Sequence, residues 1–227
     1  MATVFLNIDA GELSDEPDAL FESAHVVSIA CGGHTGDAAT MDRALAACLR
    51  YGTAPGAHPS YLDGFGRRHM AVAPGTLERQ VADQIAALVA RAEAMGARVE
   101  YVKPHGALYH AAHADDAVAR VIVSGAASVL PSFTLIGPAH GALERAAGER
   151  RLLFAREGFA DRRVRPDGSL VPRGEPGALE TDPNRAAKRA AELALSGLVD
   201  TICVHGDTPG AAELARAVRR EIDGIPR

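Results

Sequence analysis

Lysine is nearly missing from this chain. Lys103 and Lys188 are the only two, and the other 22 of its 24 cationic side chains are arginine. A sequence that prefers arginine so strongly, yet keeps a lysine beside Pro104-His105, has a use for a compact ammonium at that point. Cysteine is scarce and odd in number: Cys31, Cys48 and Cys203 lie at unrelated spacings, which argues against a disulfide framework and for a reducing compartment. Positive charge is not in excess either. A formal charge of −5 and a pI near 6.0 give no basic footprint, so no nucleic acid partner is expected. No basic leader precedes the first apolar run, and no uninterrupted apolar stretch could cross a bilayer. We therefore expect a cytoplasmic protein with no membrane partner. Three motifs are also missing. Without G-x-x-x-x-G-K-[ST] or G-x-G-x-x-G, any nucleotide would have to bind in an unconventional way, and no His-Glu-x-x-His spacing announces a metal.

What is present is a chain of 227 residues, 47% hydrophobic and 23% charged, long enough to bury the core of one α/β domain spanning residues 1–227. The organising stretch is Val102-Lys103-Pro104-His105-Gly106-Ala107-Leu108-Tyr109. An apolar run from Val99 leads into it and an alanine-rich helical pattern follows, so it reads as the carboxyl end of a strand turning into a helix. Similar apolar runs occur at Val4 to Asp9, His25 to Cys31, Thr53 to Ala57, Phe133 to Gly137, Leu152 to Ala155 and Thr201 to Val204. Helical patterns are expected over Glu16 to Ser23, around Met41 to Leu49, over Leu77 to Met95, Val118 to Leu130 and Pro183 to Ser196, and from about Pro209 to Ile222. The segment from Arg162 to Thr181 is rich in Gly, Pro and Arg and lacks apolar periodicity, as functional or disordered loops do.

Seven short apolar strands, most separated by helical patterns, imply a parallel sheet. Closing it makes a (β/α)7 barrel and leaving it open makes a doubly wound sheet. Polar residues gather at the carboxyl ends of the strands, where such folds place their sites. The last strand ends in His205-Gly206-Asp207 and the first in Asn7-x-Asp9 with Glu12 beyond. Those groups meet only if the sheet closes, so closure is the expectation.

Asp9 and Glu12 form a carboxylate pair able to share a proton, bind a cation or orient a water. The plainer reading makes Asp9 or Asp15 a helix cap with Glu12 exposed. Asp37 has the same ambiguity, since it follows a glycine-rich turn that could offer amides to an anion and also precedes a helix. His34, His58, His105 and His205 each close a different strand. They could carry protons, bind phosphate or ligate a metal. Any one of them alone would read as a structural group. Cys31 and Cys203 read better as buried small hydrophobes than as thiolates. Arg67, Arg68, Arg162, Arg163 and Arg173 lie in loops where they could grip a carboxylate or phosphate, or simply be solvated.

These residues make the chain resemble the LamB/YcsF family nearly end to end. The marks are Asn7-x-Asp9-x-Gly11-Glu12, Ala30-Cys31-Gly32-x-His34-x-Gly36-Asp37 and Gly56-Ala57-His58-Pro59-Ser60-Tyr61. Gly64-Phe65-Gly66-Arg67-Arg68, the Lys103 to Tyr109 stretch and Glu157-x-Phe159-Ala160-Asp161-Arg162 continue them. Asp167-Gly168-x-Leu170-x-Pro172-Arg173 and Cys203-x-His205-Gly206-Asp207 complete the series. The chain departs from the family pattern at Ala10, Ser28, Gly33 and Val164, and its segments 61–64 and 196–201 look shortened.

The resemblance implies a (β/α)7 barrel like that of the glycoside hydrolase and deacetylase superfamily. It also implies the opening of 5-oxo-L-proline to L-glutamate with ATP hydrolysis, by the A component of a 5-oxoprolinase working with subunits B and C. ATP, with Mg²⁺ as a candidate companion, and 5-oxoproline are the ligands it implies; self-association is left open. On that reading Lys103 meets the phosphoryl charge, Asp9 or Glu12 handles water or Mg²⁺, and His105 and His205 move protons, with Asp207 beside them. Asn7, His34, Asp37, His58, Arg67, Asp161 and Arg162 are the expected substrate-binding groups, Arg67 and Arg162 for its carboxylate. Two alternatives are a stand-alone metal-dependent amidase or deacetylase, and a non-catalytic protein that binds the substrate for a partner.

Overall fold

The structure, a computed structural model, describes residues 4–165 and 170–225. Seven strands run in chain order: β1 (Phe5–Ala10), β2 (Val26–Ala30), β3 (Ala54–His58), β4 (Tyr101–Val102), β5 (Thr134–Gly137), β6 (Leu153–Phe159) and β7 (Thr201–His205). All pair in parallel with their sequence neighbours, and β7 pairs with β1 to close the barrel. Around it lie α1 (Asp18–Ser23), α2 (Ala38–Tyr51), α3 (Pro74–Ala94), α4 (Gly106–Ala114), α5 (Asp116–Ala127), α6 (Ala142–Glu149), α7 (Pro183–Ser196) and α8 (Ala211–Asp223). No described helix is long and apolar enough to cross a membrane.

Strand alternation decides what fills the barrel. In β1, Leu6, Ile8 and Ala10 belong to the core shared with the helices, along with Leu20, Leu45, Ile85 and Leu214. Phe5, Asn7 and Asp9 alternate with them and face inward, as period-two geometry requires. The interior is layered. Val26, Ile136 and Ala155, backed by Phe5, Ala54 and Tyr101, seal the amino-terminal end with apolar side chains. Polar groups take the layers above, because only there can they converge on one another or reach solvent. The register places Asn7 opposite Cys203 and Asp9 opposite His205.

Three elements differ from the sequence expectation. The helical stretch after β4 is two helices, because Asp115 caps α5 by accepting from the amides of Ala117 and Val118, and α4 precedes it. A further helix, α6, fills the connection between β5 and β6, a span too short to advertise its period. Strand β6 runs past Ala155 to Phe159, which carries Glu157 into the barrel rather than into a loop. The Gly- and Arg-rich segment after it folds back on itself through isolated antiparallel bridges, Arg162 to Leu179 and Val164 to Leu170. Asp167 and Gly168 of its motif lie outside the described residues.

Candidate functional site

Lys103 is the floor of the site. It follows the two-residue strand β4, is 2% exposed, and its ammonium touches four groups from three other strands. Nζ lies 2.8 Å from Asp9 Oδ1, 2.7 Å from Glu157 Oε1, 3.1 Å from Asn7 Oδ1 and 3.2 Å from Cys203 Sγ. Burial alone would discharge such a lysine, but Asp9 and its neighbours outweigh it and hold the ammonium well above its ordinary value. Asp9 is driven the other way: burial would raise it, but Lys103, His58 and His205 keep it ionised well below the carboxylate range. Glu157 is clasped on its second oxygen by the Tyr109 hydroxyl, which donates at 2.6 Å. Burial and that carboxylate push the phenol well above its usual value. Asn7 donates to Thr201 Oγ1 at 2.9 Å, and Thr201 in turn donates to the Phe5 carbonyl.

Imidazoles stand above this floor. His205 ends β7, and Asp161 holds it in place: one carboxylate takes the His205 amide at 3.0 Å, its Nδ1 at 3.0 Å and the Thr208 hydroxyl at 2.6 Å. Burial would lower His205, but Asp161 prevails and raises it. Its Nε2 is left 3.8 Å from Asp9 Oδ2. On the opposite wall, His58 Nδ1–H donates to the Lys103 carbonyl at 2.7 Å. Burial drops His58 to about 4, so the ring is neutral and Nε2 is its lone-pair atom. That atom lies 3.0 Å from His105 Nδ1 and 3.5 Å from Asp9 Oδ2. His34 and His105 stack with ring centroids 3.6 Å apart and planes parallel to 1°. His34 Nε2–H donates to Glu12 Oε1 at 3.0 Å. Burial and the adjacent rings push His105 down; Glu12, raised by burial but lowered more by His34, ends below its ordinary value.

Two glycines let these walls approach. Gly106 opens α4 at φ +56°, and a Cβ there would overlap the Gly66 carbonyl, which accepts from Ala107 N at 2.7 Å. Gly66 itself has φ +65°, and a Cβ there would overlap the His105 ring and the His34 Cβ. The cleft so formed holds about 670 Å³, the size of a small-molecule site. Its rim is arginine-rich. Arg67 and Arg173 both pair with Asp207, at 2.9 and 2.8 Å. Arg162 is buried with one nitrogen donating to the Val171 carbonyl at 2.8 Å and Nε unpartnered.

Of the residues singled out from sequence, Asp9, Glu12, His58, Arg67, Lys103, His105, Arg162, His205 and Asp207 line the cleft. Asn7, His34 and Asp161 stand directly behind them. Asp37 does not join them: it is exposed at the start of α2, where its carboxylate accepts from Thr40 N in a reciprocal capping box. Asp207 sits at the rim between two guanidiniums rather than beside Asp9. Cys31 and Cys203 are buried thiols, Cys31 pushed up to about 12 by burial. Sequence reasoning missed Glu157 and Tyr109 as site residues. Continuing the β6 alternation from Ala155 by two positions would have found Glu157.

A closed seven-stranded parallel barrel with a buried Lys-carboxylate floor and a histidine wall places the chain among α/β-barrel proteins with a carboxyl-end site. The fold is similar to that of a family 4 carbohydrate esterase from Streptomyces lividans, with TM-score 0.52 at 11% identity over 98% of this chain and 88% of that one. A far stronger likeness, TM-score 0.88 at 36% identity over 97% and 96% of the two chains, is to the lactam utilization protein from Thermus thermophilus. The LamB/YcsF family model matches residues 4–225, and the chain belongs to that family. A Methylococcus capsulatus relative, named as the A component of 5-oxoprolinase, is 42% identical, covering 99% of this chain and 94% of its own.

Proposed function

We propose that this chain is the A component of an ATP-dependent 5-oxoprolinase, opening 5-oxo-L-proline to L-glutamate together with subunits B and C. The observation that carries this reading is 42% identity along essentially the whole of both chains to a relative bearing that name. The geometry supports it. A five-membered lactam is an unreactive amide. Transfer of a phosphoryl group from ATP to its oxygen makes the ring carbon open to water. The C–N bond then breaks, nitrogen takes a proton, and a second water releases phosphate. Such chemistry calls for a fixed cation near the developing oxyanion, a base for water and an acid for nitrogen.

Lys103 is the fixed cation, ionised Asp9 is the base, and His205, whose protonated form Asp161 favours, is the acid. Asp9 and His205 Nε2 are adjacent at 3.8 Å, so a water and a ring nitrogen could be served from one corner of the cleft. Arg67, Arg162 and Arg173 at the rim outnumber the single Asp207 and suit the substrate carboxylate. Mg²⁺ would travel with the ATP phosphates. The barrel's ancestry with the deacetylases is part of the same proposal, resting on fold alone.

The test is glutamate release from 5-oxoproline and ATP by this chain alone and with subunits B and C added. Release only in the assembled mixture is the expected result. No release from an assembled complex would remove the lactam as substrate.

A further inference from the structure

We propose that Glu12, His34, His58 and His105 form a site for one nitrogen-preferring divalent cation such as Zn²⁺, distinct from the Mg²⁺ that accompanies a nucleotide. The inference stands on the geometry of these side chains and does not depend on the lactam reading. One donor atom from each of the four lies within 4.8 Å of all the others. Three of the separations are 3.0 Å (Glu12 Oε1 to His34 Nε2), 3.5 Å (Glu12 Oε1 to His105 Nδ1) and 3.0 Å (His58 Nε2 to His105 Nδ1). A tetrahedron of ligands about 2.0–2.1 Å from zinc has edges of about 3.3 Å, so the donors already stand near coordinating distance from one another.

The rings are prepared for that role in different ways. His58 has Nδ1–H committed to the Lys103 carbonyl at 2.7 Å, which fixes the tautomer with Nε2 free, the usual second contact of a metal-bound histidine. His34 and His105 each hold a proton inward, His34 Nε2–H on Glu12 Oε1 and His105 Nδ1–H on His58 Nε2. Their outer nitrogens, His34 Nδ1 and His105 Nε2, are buried and have no hydrogen-bond partner. A purely structural hydrogen-bonded cluster would be expected to satisfy those atoms. Left free, each ring can move its proton outward and turn a lone pair inward, so that a single cation replaces the two protons now bridging Glu12 to His34 and His58 to His105. His34 and His105 now stack with parallel planes, so binding one cation tilts one ring toward the other to aim both in-plane lone pairs at it.

Three imidazoles and one carboxylate suit zinc, cobalt or nickel far better than magnesium, which takes oxygen and water. Glu12, His58 and His105 also line the cleft, so a cation held there would face whatever the cleft binds. Its nearest tie to the floor is through His58, whose Nε2 lies 3.5 Å from Asp9 Oδ2.

The experiment uses tag-free full-length protein stripped with a chelator and titrated calorimetrically with ZnCl₂, and separately with CoCl₂ while the visible spectrum is recorded. The expected result is one equivalent bound, with cobalt giving the absorption of a low-symmetry nitrogen-rich site and MgCl₂ competing poorly. His34→Gln and Glu12→Gln should each weaken zinc at least tenfold, while His140→Asn, at an exposed histidine remote from the cluster, should leave it unchanged. Absence of a one-to-one uptake, or equal affinity in all three variants, would overturn the site. Should the cluster variants fail to fold, histidine ring-proton NMR of the wild-type protein decides: zinc must shift three histidines other than His140, and shifts confined to exposed histidines would equally overturn the proposal.

Discussion

Lys103 is the residue on which most of the site's charge balance rests, and its replacement tests two things at once. In Lys103→Met, Asp9 and Glu157 lose their shared ammonium while staying buried. Leaving a buried charge unpaired costs about 3–5 kcal/mol, so the denaturant midpoint should fall sharply. Turnover in a complex that still assembles should disappear, and near-normal glutamate release would remove the lysine from the chemistry. His205 offers a pH signature. Its folded-state value is raised because Asp161 outweighs burial, so the protonated ring contributes stability fully below its ordinary value near 6.5. That contribution is lost as pH rises through the folded value. In Asp161→Asn the raising charge is gone. The alkaline limb of the kcat/KM profile should then move to lower pH, and the ring-proton titration of His205 should move with it. An unmoved limb would separate His205 from the acid role. These residue-scale features were partly legible in the chain. One of only two lysines among 22 arginines and a histidine closing a strand are visible as types, but a depressed His58 or a raised His205 depends on which charges surround it.

At the scale of elements, the same short polar residues do different work depending on where the helix begins. Asp37 reads from sequence as either a binding group or a cap, and the geometry of α2 supports the cap: its carboxylate is bonded to Thr40 N and it lies off the cleft. Asp37→Ala should lower the melting temperature slightly through loss of the cap and leave turnover of the assembled complex within about twofold, as paired melts and assays would report. Gly106 is the opposite case. Its φ of +56° and the Gly66 carbonyl against it leave no room for a side chain, so Gly106→Ala should destabilise by about 1–3 kcal/mol and displace His105 from the wall. Loss of stability without any change in the His105 ring resonances would show that the turn relaxes elsewhere. Two helices departed from expectation for different reasons: α4, expected only as an alanine-rich helical pattern, has little contrast between its faces, and α6 is amphipathic but spans only eight residues, whereas α3, with Leu77, Val81, Ile85 and Leu88 buried, reads clearly.

For the whole molecule the decisive event is closure of β7 on β1. Thr201 sits at that seam, bonded to the Phe5 carbonyl and to Asn7 at 2.9 Å each, and Asn7 in turn touches Lys103. Thr201→Val keeps the shape and removes the hydroxyl, leaving buried polar groups unpaired at about 1–3 kcal/mol; an unchanged melting temperature would deny the seam that role. The parallel sense of the strands and the end where polar side chains gather were legible in the chain alone, because apolar runs separated by helices permit few arrangements and polar residues mark the carboxyl ends of the first, second, third, fourth and seventh strands. Closure itself was inferred only from the polar ends of the first and last strands. What the tertiary structure decided is which polar groups meet. Glu157 becomes a partner of Lys103 only because β6 runs on to Phe159, past the end of its apolar run at Ala155. Asp161 becomes the support of His205 only across the β6–β7 seam. Three imidazoles and a carboxylate, His34, His58, His105 and Glu12, bring donor atoms within 4.8 Å of one another only when β1 to β4 pair side by side. Linear spacing carries no measure of distances set by the twist and closure of a sheet, so the residue types were legible and their partnerships were not.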